Sequence, residues 1–369
     1  MRSVSLFSGA GGMDVGFAKA GFKAIWANDI DKDACATYRL NHGDVIRHGC
    51  IEDWLDDLNQ LKDIDCVFGG PPCQGFSVAG KMDINDPRSQ LVMSFMEVVK
   101  QTQAKMFVME NVKALAVLEK FKPFRDALRK KSEELGYFTD LVVLNASDYG
   151  VPQSRDRMFF VGMKGGFDKR QFRAFLELRK VRASTVRETL LSLPRPGDKG
   201  NERLCNAKIT IASKPVLRKS SYAGMMFNGQ GRPLKLDGFA STLPASMGGN
   251  RTPIVDDDAL YDYKDEWTNQ YHAHLMSGGK PYDLQSAPSC LRRITVDEAL
   301  ALQSFPRGYQ LSGSQSSLYR QIGNAVPCGL AHAIADVMGY MLESSEETEF
   351  TSDIHMQEHS RSEQIAFAL

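Results

Sequence analysis

The sequence predicts an α/β fold: a mostly parallel β-sheet covered by helices on both faces, joined to a smaller, irregular, β-rich domain. Two observations lead to this prediction. Short apolar stretches alternate with amphipathic stretches through residues 1–162, and closely spaced turn residues replace this alternation after residue 162. Strands that alternate with helices at this spacing form βαβ units, which build a parallel sheet.

The first domain, residues 1–162, contains six predicted strands and four predicted helices. The strands are short and apolar, as expected for a sheet that is covered on both faces. They span residues 3–7, 24–28, 66–68, 106–109, 140–144 and 158–162. The helices have apolar positions three and four residues apart, and they span residues 13–20, 31–41, 90–101 and 123–135.

Residues 163–290 lack this alternation and carry turn signals such as Asn228-Gly229. Clusters of such residues mark turns and loops, so we expect a separate, smaller domain of short strands and loops. At the other end of the chain, residues 343–369 are polar and acidic. We expect this tail to be disordered, because it has too few apolar residues to form a core.

Residues 291–342 return to helical periodicity. Thr295 and Glu298 have the spacing of a capping box at the start of a helix. A final helix over residues 329–342 carries one apolar stripe, which we expect to pack on the first domain. Before it, the segment QIGNAVP is predicted to be a turn in which glycine and Asn324 either approach a ligand closely or cap the helix.

Composition limits the classes of function. The 45 basic and 45 acidic residues give a formal net charge of zero, which neither supports nor excludes nucleic-acid binding, because charge can be sorted locally. Seven cysteines without a CxxC pair argue against a disulfide framework and a zinc cluster, so we expect a cytoplasmic protein without a metal site. The chain contains no apolar run of about 18 residues, so we expect no membrane partner.

The third predicted strand leads into the segment GGPPCQGFS, Gly69 to Ser77. Its two glycines allow a sharp turn, and its two prolines stiffen the backbone directly before Cys73. Open α/β enzymes bind their ligands at the carboxyl ends of the strands, which makes Cys73 a candidate nucleophile. The alternative is a stiffened turn that carries an inert thiol.

A glycine loop, Phe7 to Gly12, connects the first strand to the first helix, where backbone amides favour a carboxylate or a phosphate. The third glycine of the dinucleotide motif GxGxxG is Asp14 here, so a smaller nucleoside that carries an amino-acid carboxylate fits better. Asp29 follows the second strand, where an acid accepts hydrogen bonds from ribose hydroxyls. The alternative is a tight turn followed by an aspartate that caps a helix.

Further polar residues lie at the ends of later strands. Glu110 follows an apolar strand, where burial would raise its pKa and let it act as an acid, although a lone glutamate is more often a surface or capping residue. Gln153, Arg155 and Arg157 alternate along a predicted strand and therefore point to one face. We expect this face to meet phosphates, a base oxygen or a buried carboxylate; an exposed edge strand is the alternative.

Six motifs occur in an order that resembles the DNA cytosine-5 methyltransferases of bacterial restriction-modification systems. They are FSGAGG, PPCQ, ENV, QSRDR, RRITVDEALALQSFP and QIGNAVP. The resemblance implies a Rossmann-like, S-adenosylmethionine-dependent catalytic domain in residues 1–162 and 291–342, with a target-recognition domain in residues 163–290. It also implies the activity, which is sequence-specific transfer of a methyl group from S-adenosylmethionine to C5 of cytosine in double-stranded DNA, leaving S-adenosylhomocysteine.

The resemblance also implies roles for single residues. Cys73 would attack C6 of a cytosine that is flipped out of the duplex, and Glu110 would donate to the ring N3 and the amino group. Arg157 would support the base, and Arg155 would orient this catalytic cluster. The implied cofactor contacts place Phe7 on the adenine, Asp29 on the ribose and Asn324 on the methionine part. The full implied set is Phe7, Gly9, Ala10, Gly11, Gly12, Asp29, Ile30, Cys50, Ile51, Pro71, Leu91, Asn324 and Ala325.

The resemblance further implies contacts with DNA. The polar stretch from residue 75 to residue 89 would be a mobile loop that closes over the duplex, with Gly80 as a hinge. The implied DNA-binding residues are Gln74, Ser77, Lys81, Arg88, Gln153, Thr242 and Arg251. We expect a monomer in the bacterial cytoplasm, associated with the nucleoid. Whether a restriction endonuclease acts on the same site, without stable association, is left open.

Two departures from the family and three competing interpretations accompany this hypothesis. Cys50 stands where relatives often have an aspartate that would bind the adenine amino group, so a carbonyl or Asp53 would have to substitute. Asp29 is shorter than the glutamate that is also common there, and Ile30 offers an aliphatic wall. The long variable region argues against an RNA cytosine methyltransferase. The complete set of catalytic residues argues against an inactive DNA-binding protein, and the broken glycine spacing argues against a dehydrogenase.

Overall fold

The computed structural model describes residues 1–72, 87–283, 285 and 287–345. The strands of its first half are β1 Arg2–Leu6, β2 Lys23–Asp29, β3 Ile46–His48, β4 Cys66–Gly69, β5 Met106–Val112, β6 Phe138–Asn145, β7 Gln153–Ser154 and β8 Asp156–Met163. All of these except β7 form one seven-stranded sheet of order β3-β2-β1-β4-β5-β8-β6. The six predicted strands therefore all belong to this sheet, and β3 is the strand that the sequence did not indicate.

The sheet is mostly parallel, as predicted. β1 pairs in parallel with β2 and β4, β2 with β3, and β4 with β5, whereas β8 pairs antiparallel with β5 and β6. The chain runs outward from β1 to β3 and returns with β4 on the other side of β1. The strand order therefore reverses between β1 and β4, and ligands bind at the carboxyl ends of the strands beside such a reversal.

Helices cover both faces of the sheet. Those before residue 163 are α1 Gly12–Lys19, α2 Lys32–His42, α3 Leu55–Asn59, α4 Pro87–Thr102, α5 Lys113–Val117 and α6 Lys122–Glu134, with short 3₁₀ helices at Ile51–Trp54, Glu119–Phe121 and Ala146–Asp148. Those that follow are α7 Lys169–Leu178, α8 Val186–Leu191, α9 Asp257–Tyr261, α10 Trp267–Met276, α11 Val296–Leu302 and α12 Gln315–Asn324. The final helix, α13, covers residues 328–345.

The two faces of the sheet build two separate cores, because successive strand residues point to opposite sides. Phe68 of β4 stacks on Phe17 of α1, with ring centroids 3.9 Å apart, in a first core that also contains α7 and α13. Val67 points the other way, into a second core with α4 and α6. The stripe predicted on the last helix is buried in the first core, which confirms its packing: Leu330, Ile334, Val337, Met338 and Met341.

The region from residue 163 to residue 290 holds more helix than the sequence predicted. α8 begins at a capping box formed by Thr185 and Glu188, a signal that the turn-rich composition obscured. α7 packs through Phe172 and Leu176 into the first core of the sheet. The first core therefore continues beyond the predicted domain boundary.

The later strands form small ladders. They are β9 Ile211–Val216, β10 Met225–Phe227, β11 Ala240–Ser241, β12 Ile254–Asp256 and β13 Leu291–Arg293. β9 pairs antiparallel with β10 and β12 with β13, while β11 pairs in parallel with β7. A third core joins α8 and the region around β11 and β12 to α11 and α12. The part of the return segment before α13 thus packs largely with residues 163–290, and α13 packs on the sheet.

Two predictions about the return segment have different outcomes. The capping box of Thr295 and Glu298 is present at the start of α11, as predicted. The prediction of a turn at QIGNAVP is wrong in its first half, because Gln321–Asn324 is the last turn of α12 and the chain turns only at residues 325–327. The apolar stretch within residues 315–345 is long enough to span a membrane, but 78% of its most apolar window is buried in the protein, as in a core helix.

Candidate active site

A cleft of about 680 Å³ opens at the carboxyl ends of β1 and β4, where the strand order reverses. The sheet contributes the glycine loop after β1, the turn Gly70–Pro72 after β4 and the end of β5. The third core contributes residues 242–245 and the end of α12 from the opposite side. The cleft therefore lies between the sheet and residues 242–245, and most of the sequence motifs meet there.

The glycine loop is a tight turn that ends in the first turn of α1. The amide of Gly11 donates to the carbonyl of Ser8 at 2.9 Å, and Phe7 adopts a positive φ of 52°, which is uncommon outside glycine. A Cβ on Gly12 would lie 2.7 Å from the carbonyl of Val326, so only glycine allows this approach. The first amides of α1 have no intrahelical partners and form a site for a negative group.

Asp29 holds this loop from the next strand. Its Oδ2 accepts the amide of Gly9 at 2.7 Å, and its Oδ1 accepts the amide of Asp31 at 2.8 Å. Burial raises the pKa of the Asp29 carboxyl, against these hydrogen bonds. Each carboxylate oxygen can accept a second hydrogen bond, so Asp29 can stabilise the loop and still accept from hydroxyls in the cleft.

Most of the predicted cofactor residues line the cleft, and four do not. Those that do are Phe7, Gly9, Ala10, Gly12, Asp29, Ile30, Pro71, Asn324 and Ala325. Gly11 faces the back of the loop, towards His42 and Tyr309. Ile51 is 2% exposed in the second core, and Leu91 of α4 packs against the same core. Cys50 is exposed but is not among the described residues that line the cleft.

Glu110 and Arg157 form an ion pair at the base of the cleft. Arg157 Nε lies 2.6 Å from Glu110 Oε1, and both residues line the cleft. A Cβ on Gly70 would lie 2.9 Å from Glu110 Oε2, so the turn after β4 approaches the other carboxylate oxygen closely. Burial raises the pKa of Glu110, although the charges of Arg157 and Arg155 oppose this effect. Burial and the two arginine charges therefore act on this carboxyl in opposite directions.

Arg155 connects three parts of the chain. Its side chain is 2% exposed, and it donates from Nη1 to the carbonyl of Leu243 at 3.1 Å and from Nη2 to the carbonyl of Gly323 at 2.9 Å. Burial and the neighbouring charge of Arg157 lower the pKa of Arg155 to about 9, so the side chain stays cationic at neutral pH. Arg155 thus connects the segment around Leu243 and the end of α12 to the sheet.

Gln153, which we predicted to bind DNA, has its partners inside the protein. This residue is fully buried; its Oε1 accepts the amide of Leu243 at 3.0 Å, and its Nε2 donates to Gln303 Oε1 at 3.0 Å. The alternation predicted for Gln153, Arg155 and Arg157 along one strand is interrupted, because β7 ends at Ser154 and β8 begins two residues later. Of these three residues, only Arg157 forms an ion pair with one of the partners that we expected, the buried carboxylate of Glu110.

Asn111 is a site residue that the sequence analysis did not select. Its Nδ2 donates to the carbonyl of Pro71 at 3.1 Å, and its Oδ1 accepts the amide of Val112 at 2.9 Å. The side chain is buried and lines the cleft. The sequence could have indicated Asn111 through its position in the ENV motif, directly after Glu110. Asn111 ties the end of β5 to the turn that precedes Cys73.

The remaining predictions fall in two groups. Cys73, Gln74, Ser77, Lys81 and the side chain of Arg88 lie outside the described residues, as do most of the predicted mobile loop and the tail from residue 346. Thr242 and Arg251 are exposed. Thr242 lines the cleft, and its hydroxyl donates to the carbonyl of Ser154 at 3.1 Å.

Comparisons with known proteins agree with this architecture. The family model "C-5 cytosine-specific DNA methylase" matches residues 1–340. The Type II methyltransferase M1.HphI of Haemophilus parahaemolyticus is 35% identical over 347 residues, covering 91% of this chain and 86% of that protein. The Type II methyltransferase M.FnuDI of Fusobacterium nucleatum is 32% identical over 346 residues, covering 91% and 93%.

A solved structure shows the same fold. The methyltransferase EhMeth of Entamoeba histolytica superposes with a TM-score of 0.64 at 18% identity, covering 93% of this chain and 98% of that one. The sheet and helices of this chain therefore form a Rossmann-like methyltransferase fold. The chain belongs to the C-5 cytosine-specific DNA methylase family and is a DNA cytosine-5-methyltransferase.

Proposed function

We propose that this enzyme uses S-adenosylmethionine to methylate C5 of a cytosine that is flipped out of duplex DNA, through a transient bond between Cys73 Sγ and C6. One observation carries the proposal. A single cleft joins the glycine loop and Asp29 to the Glu110–Arg157 pair and to Pro72, which directly precedes Cys73 in the chain. A methyl donor and a base that occupy the two ends of one cleft can meet without either leaving the protein.

The residues at the first end of the cleft fit a nucleoside that carries an amino-acid carboxylate. The amides in the first turn of α1 suit the carboxylate, and the remaining acceptor positions of Asp29 suit the ribose hydroxyls. Ile30 is 67% exposed beside the cleft and offers an apolar surface to a purine. When bound, S-adenosylmethionine would supply an electrophilic methyl group. Its release leaves S-adenosylhomocysteine in the same contacts.

The residues at the second end fit a pyrimidine. Extruding the base from the duplex costs a few kcal/mol. The thiolate of Cys73 then forms a bond to C6, and Glu110 donates its proton towards N3, so that the electron pair of the C5–C6 double bond becomes available at C5. Arg157 holds Glu110 in place for this donation. After C5 has accepted the methyl group, it loses its proton to solvent and N3 returns its proton to Glu110. The Sγ–C6 bond then breaks, which restores the double bond and the free thiolate.

Methyl transfer from tritiated S-adenosylmethionine tests this proposal. We expect label in mixed-sequence duplex DNA and none above background in tRNA of equal nucleotide content. Bisulfite sequencing of DNA from cells that express the protein should then locate protected cytosines in one short sequence context. Transfer to tRNA alone, or label at an exocyclic amino group instead of C5, would contradict the proposal.

We further propose that the enzyme acts in a restriction-modification system, because the relatives at 35% and 32% identity are named Type II methyltransferases. It would act as a monomer on nucleoid DNA in the bacterial cytoplasm, and an endonuclease of the same specificity would act separately. The exposed Thr242 and Arg251 of the recognition region support contact with DNA from that side. Genomic DNA from expressing cells should then resist an endonuclease of the bisulfite-determined specificity.

Replacing Asn111 with alanine is expected to slow methyl transfer by roughly tenfold to a hundredfold, because the turn before Cys73 would lose its hydrogen bond to β5. Single-turnover rates with saturating cofactor and DNA measure this effect. Asn201→Ala is the matched control, since it also removes a buried asparagine that donates to a proline carbonyl, that of Pro194, and Asn201 is not among the described residues that line the cleft. Equal rates for the Asn111 variant and the wild type would show that the turn does not depend on this bond.

A further inference from the structure

A group of polar residues, three of them buried and one half-buried, lies behind the glycine loop, on the side away from the cleft. We call Asp14, Tyr38, His42 and Tyr309 the rear cluster. None of these four is among the described residues that line the cleft. The catalytic proposal uses none of them. Two of the four belong to α2, one to α1 and one to the segment between α11 and α12.

The centre of the rear cluster is the hydroxyl of Tyr309. This hydroxyl donates to the carbonyl of Ala10 in the glycine loop, and His42 Nε2 lies 2.9 Å from the same oxygen. A hydroxyl has only one proton, so when that proton is bound to Ala10, His42 Nε2 must be the donor to Tyr309. Tyr309 is 5% exposed, and burial raises the pKa of its hydroxyl, which keeps it a donor.

The other two members fix His42 and α1. Tyr38 donates to Asp14 Oδ1 at 2.8 Å, and Ser5 donates to Asp14 Oδ2 at 3.0 Å. The ring of Tyr38 packs on the ring of His42, with centroids 4.6 Å apart. Because Asp14 lies in the first turn of α1, these contacts connect α2 to the helix whose N-terminus faces the cleft.

The loop leaves space for this cluster through Gly11. Gly11 has a positive φ of 80°, and a Cβ there would lie 2.8 Å from the Tyr309 hydroxyl as well as in contact with His42. The absence of a side chain therefore lets two residues from distant parts of the chain reach the back of the loop. Tyr309 itself belongs to the third core, which the recognition region shares.

We propose that Tyr309 is a positioning residue for the cofactor, supplied by the segment between α11 and α12. A peptide unit is planar, so holding the carbonyl of Ala10 also fixes the amide of Gly11 on the opposite side. That amide closes the turn with Ser8. Tyr309 therefore sets the orientation of the loop that we propose to bind S-adenosylmethionine. This inference rests on that proposed use of the cofactor.

Binding of S-adenosylhomocysteine to Tyr309→Phe, measured by titration calorimetry, tests the inference. The variant loses one hydroxyl and leaves the carbonyl of Ala10 unsatisfied, so we expect the Kd to rise roughly tenfold. Tyr137→Phe is the matched control. Tyr137 is also buried and also donates to a backbone carbonyl, that of Ala104, but it lies in the second core away from the glycine loop. We expect both variants to unfold at lower temperature and only Tyr309→Phe to bind more weakly.

Two further outcomes keep the test decisive. If Tyr309→Phe does not fold, His42→Leu removes the second bond to the same hydroxyl without touching that segment, and it should weaken binding in the same direction by a smaller factor. A folded Tyr309→Phe protein that binds within twofold of the wild type would overturn the inference. A wild-type protein that does not bind S-adenosylhomocysteine at all would instead refute the proposed cofactor.

Discussion

Cys73→Ala is expected to abolish methyl transfer to duplex DNA, with a rate loss on the order of 10⁴ or more, as for other enzymes that lose a covalent nucleophile. Without the thiolate, C5 of cytosine does not become electron-rich enough to accept an alkyl group. The affinity for S-adenosylhomocysteine should stay within about twofold, because the glycine loop and Asp29 belong to the other end of the cleft. Single-turnover transfer and calorimetry measure the two quantities.

Cys290→Ala provides the matched control for this variant. Cys290 is a half-buried free cysteine that packs against the small core around β9 and β10, and it is not among the described residues that line the cleft. Its loss should leave the transfer rate within about twofold of the wild type. A Cys73→Ala protein that transfers methyl groups at a rate close to that of the control would exclude covalent catalysis by this thiol.

Glu110→Gln should lower the single-turnover rate by roughly 10²–10⁴, the range typical of a lost general acid. Glutamine keeps the size of the side chain but has no proton to transfer and no charge to pair with Arg157. Glu97→Gln is the control, because Glu97 of α4 forms a surface ion pair with Lys100 that contributes little. A Glu110→Gln rate within threefold of the wild type would show that the buried acid is not needed.

The same residue predicts the sign of the pH dependence. Burial raises the pKa of Glu110 in the folded protein, so the acid form that we propose to donate to N3 is lost as the pH rises through that raised pKa. Thiolate formation at Cys73 has the opposite sign, so the rate should pass through a maximum with pH. Glu110→Gln should remove the alkaline decline. The same shift affects the stability of the fold. The contribution of Glu110 to the free energy of unfolding is complete below the pKa that this group has in the unfolded chain, and it is lost as the pH rises through the pKa in the folded protein.

The strand ends were predictable because a parallel sheet brings its carboxyl ends to one edge. The glycine loop, Asp29, the Gly70–Pro72 turn and Glu110 each lie at the carboxyl end of a different strand, and they meet in one cleft for that reason. Short buried strands and helices with one apolar face gave clear periodic signals in this part of the chain. The domain division was less predictable, because cores form between segments that are distant in sequence.

The partners of the polar side chains could not be predicted from the sequence. Arg155 donates to carbonyls that lie 88 and 168 residues further along the chain, and a backbone carbonyl leaves no mark on residue identity. The sequence at the end of α12 is typical of a turn, because Gly323 and Asn324 are poor helix formers. Packing requires the glycine there, since a Cβ on Gly323 would lie 2.5 Å from the carbonyl of Pro244. Tertiary contact thus overrides the local preference.

Trapping the enzyme on duplex DNA that contains 5-fluorocytosine is the most direct measurement of the covalent step. Fluorine at C5 cannot leave as a proton does, so the bond between Cys73 Sγ and C6 should persist after methyl transfer. In the presence of S-adenosylmethionine we predict a complex that survives denaturation, has the mass of protein, DNA and one methyl group, and maps to the peptide that contains Cys73. Efficient methylation of ordinary DNA without such a complex, or an adduct on another cysteine, would contradict the account.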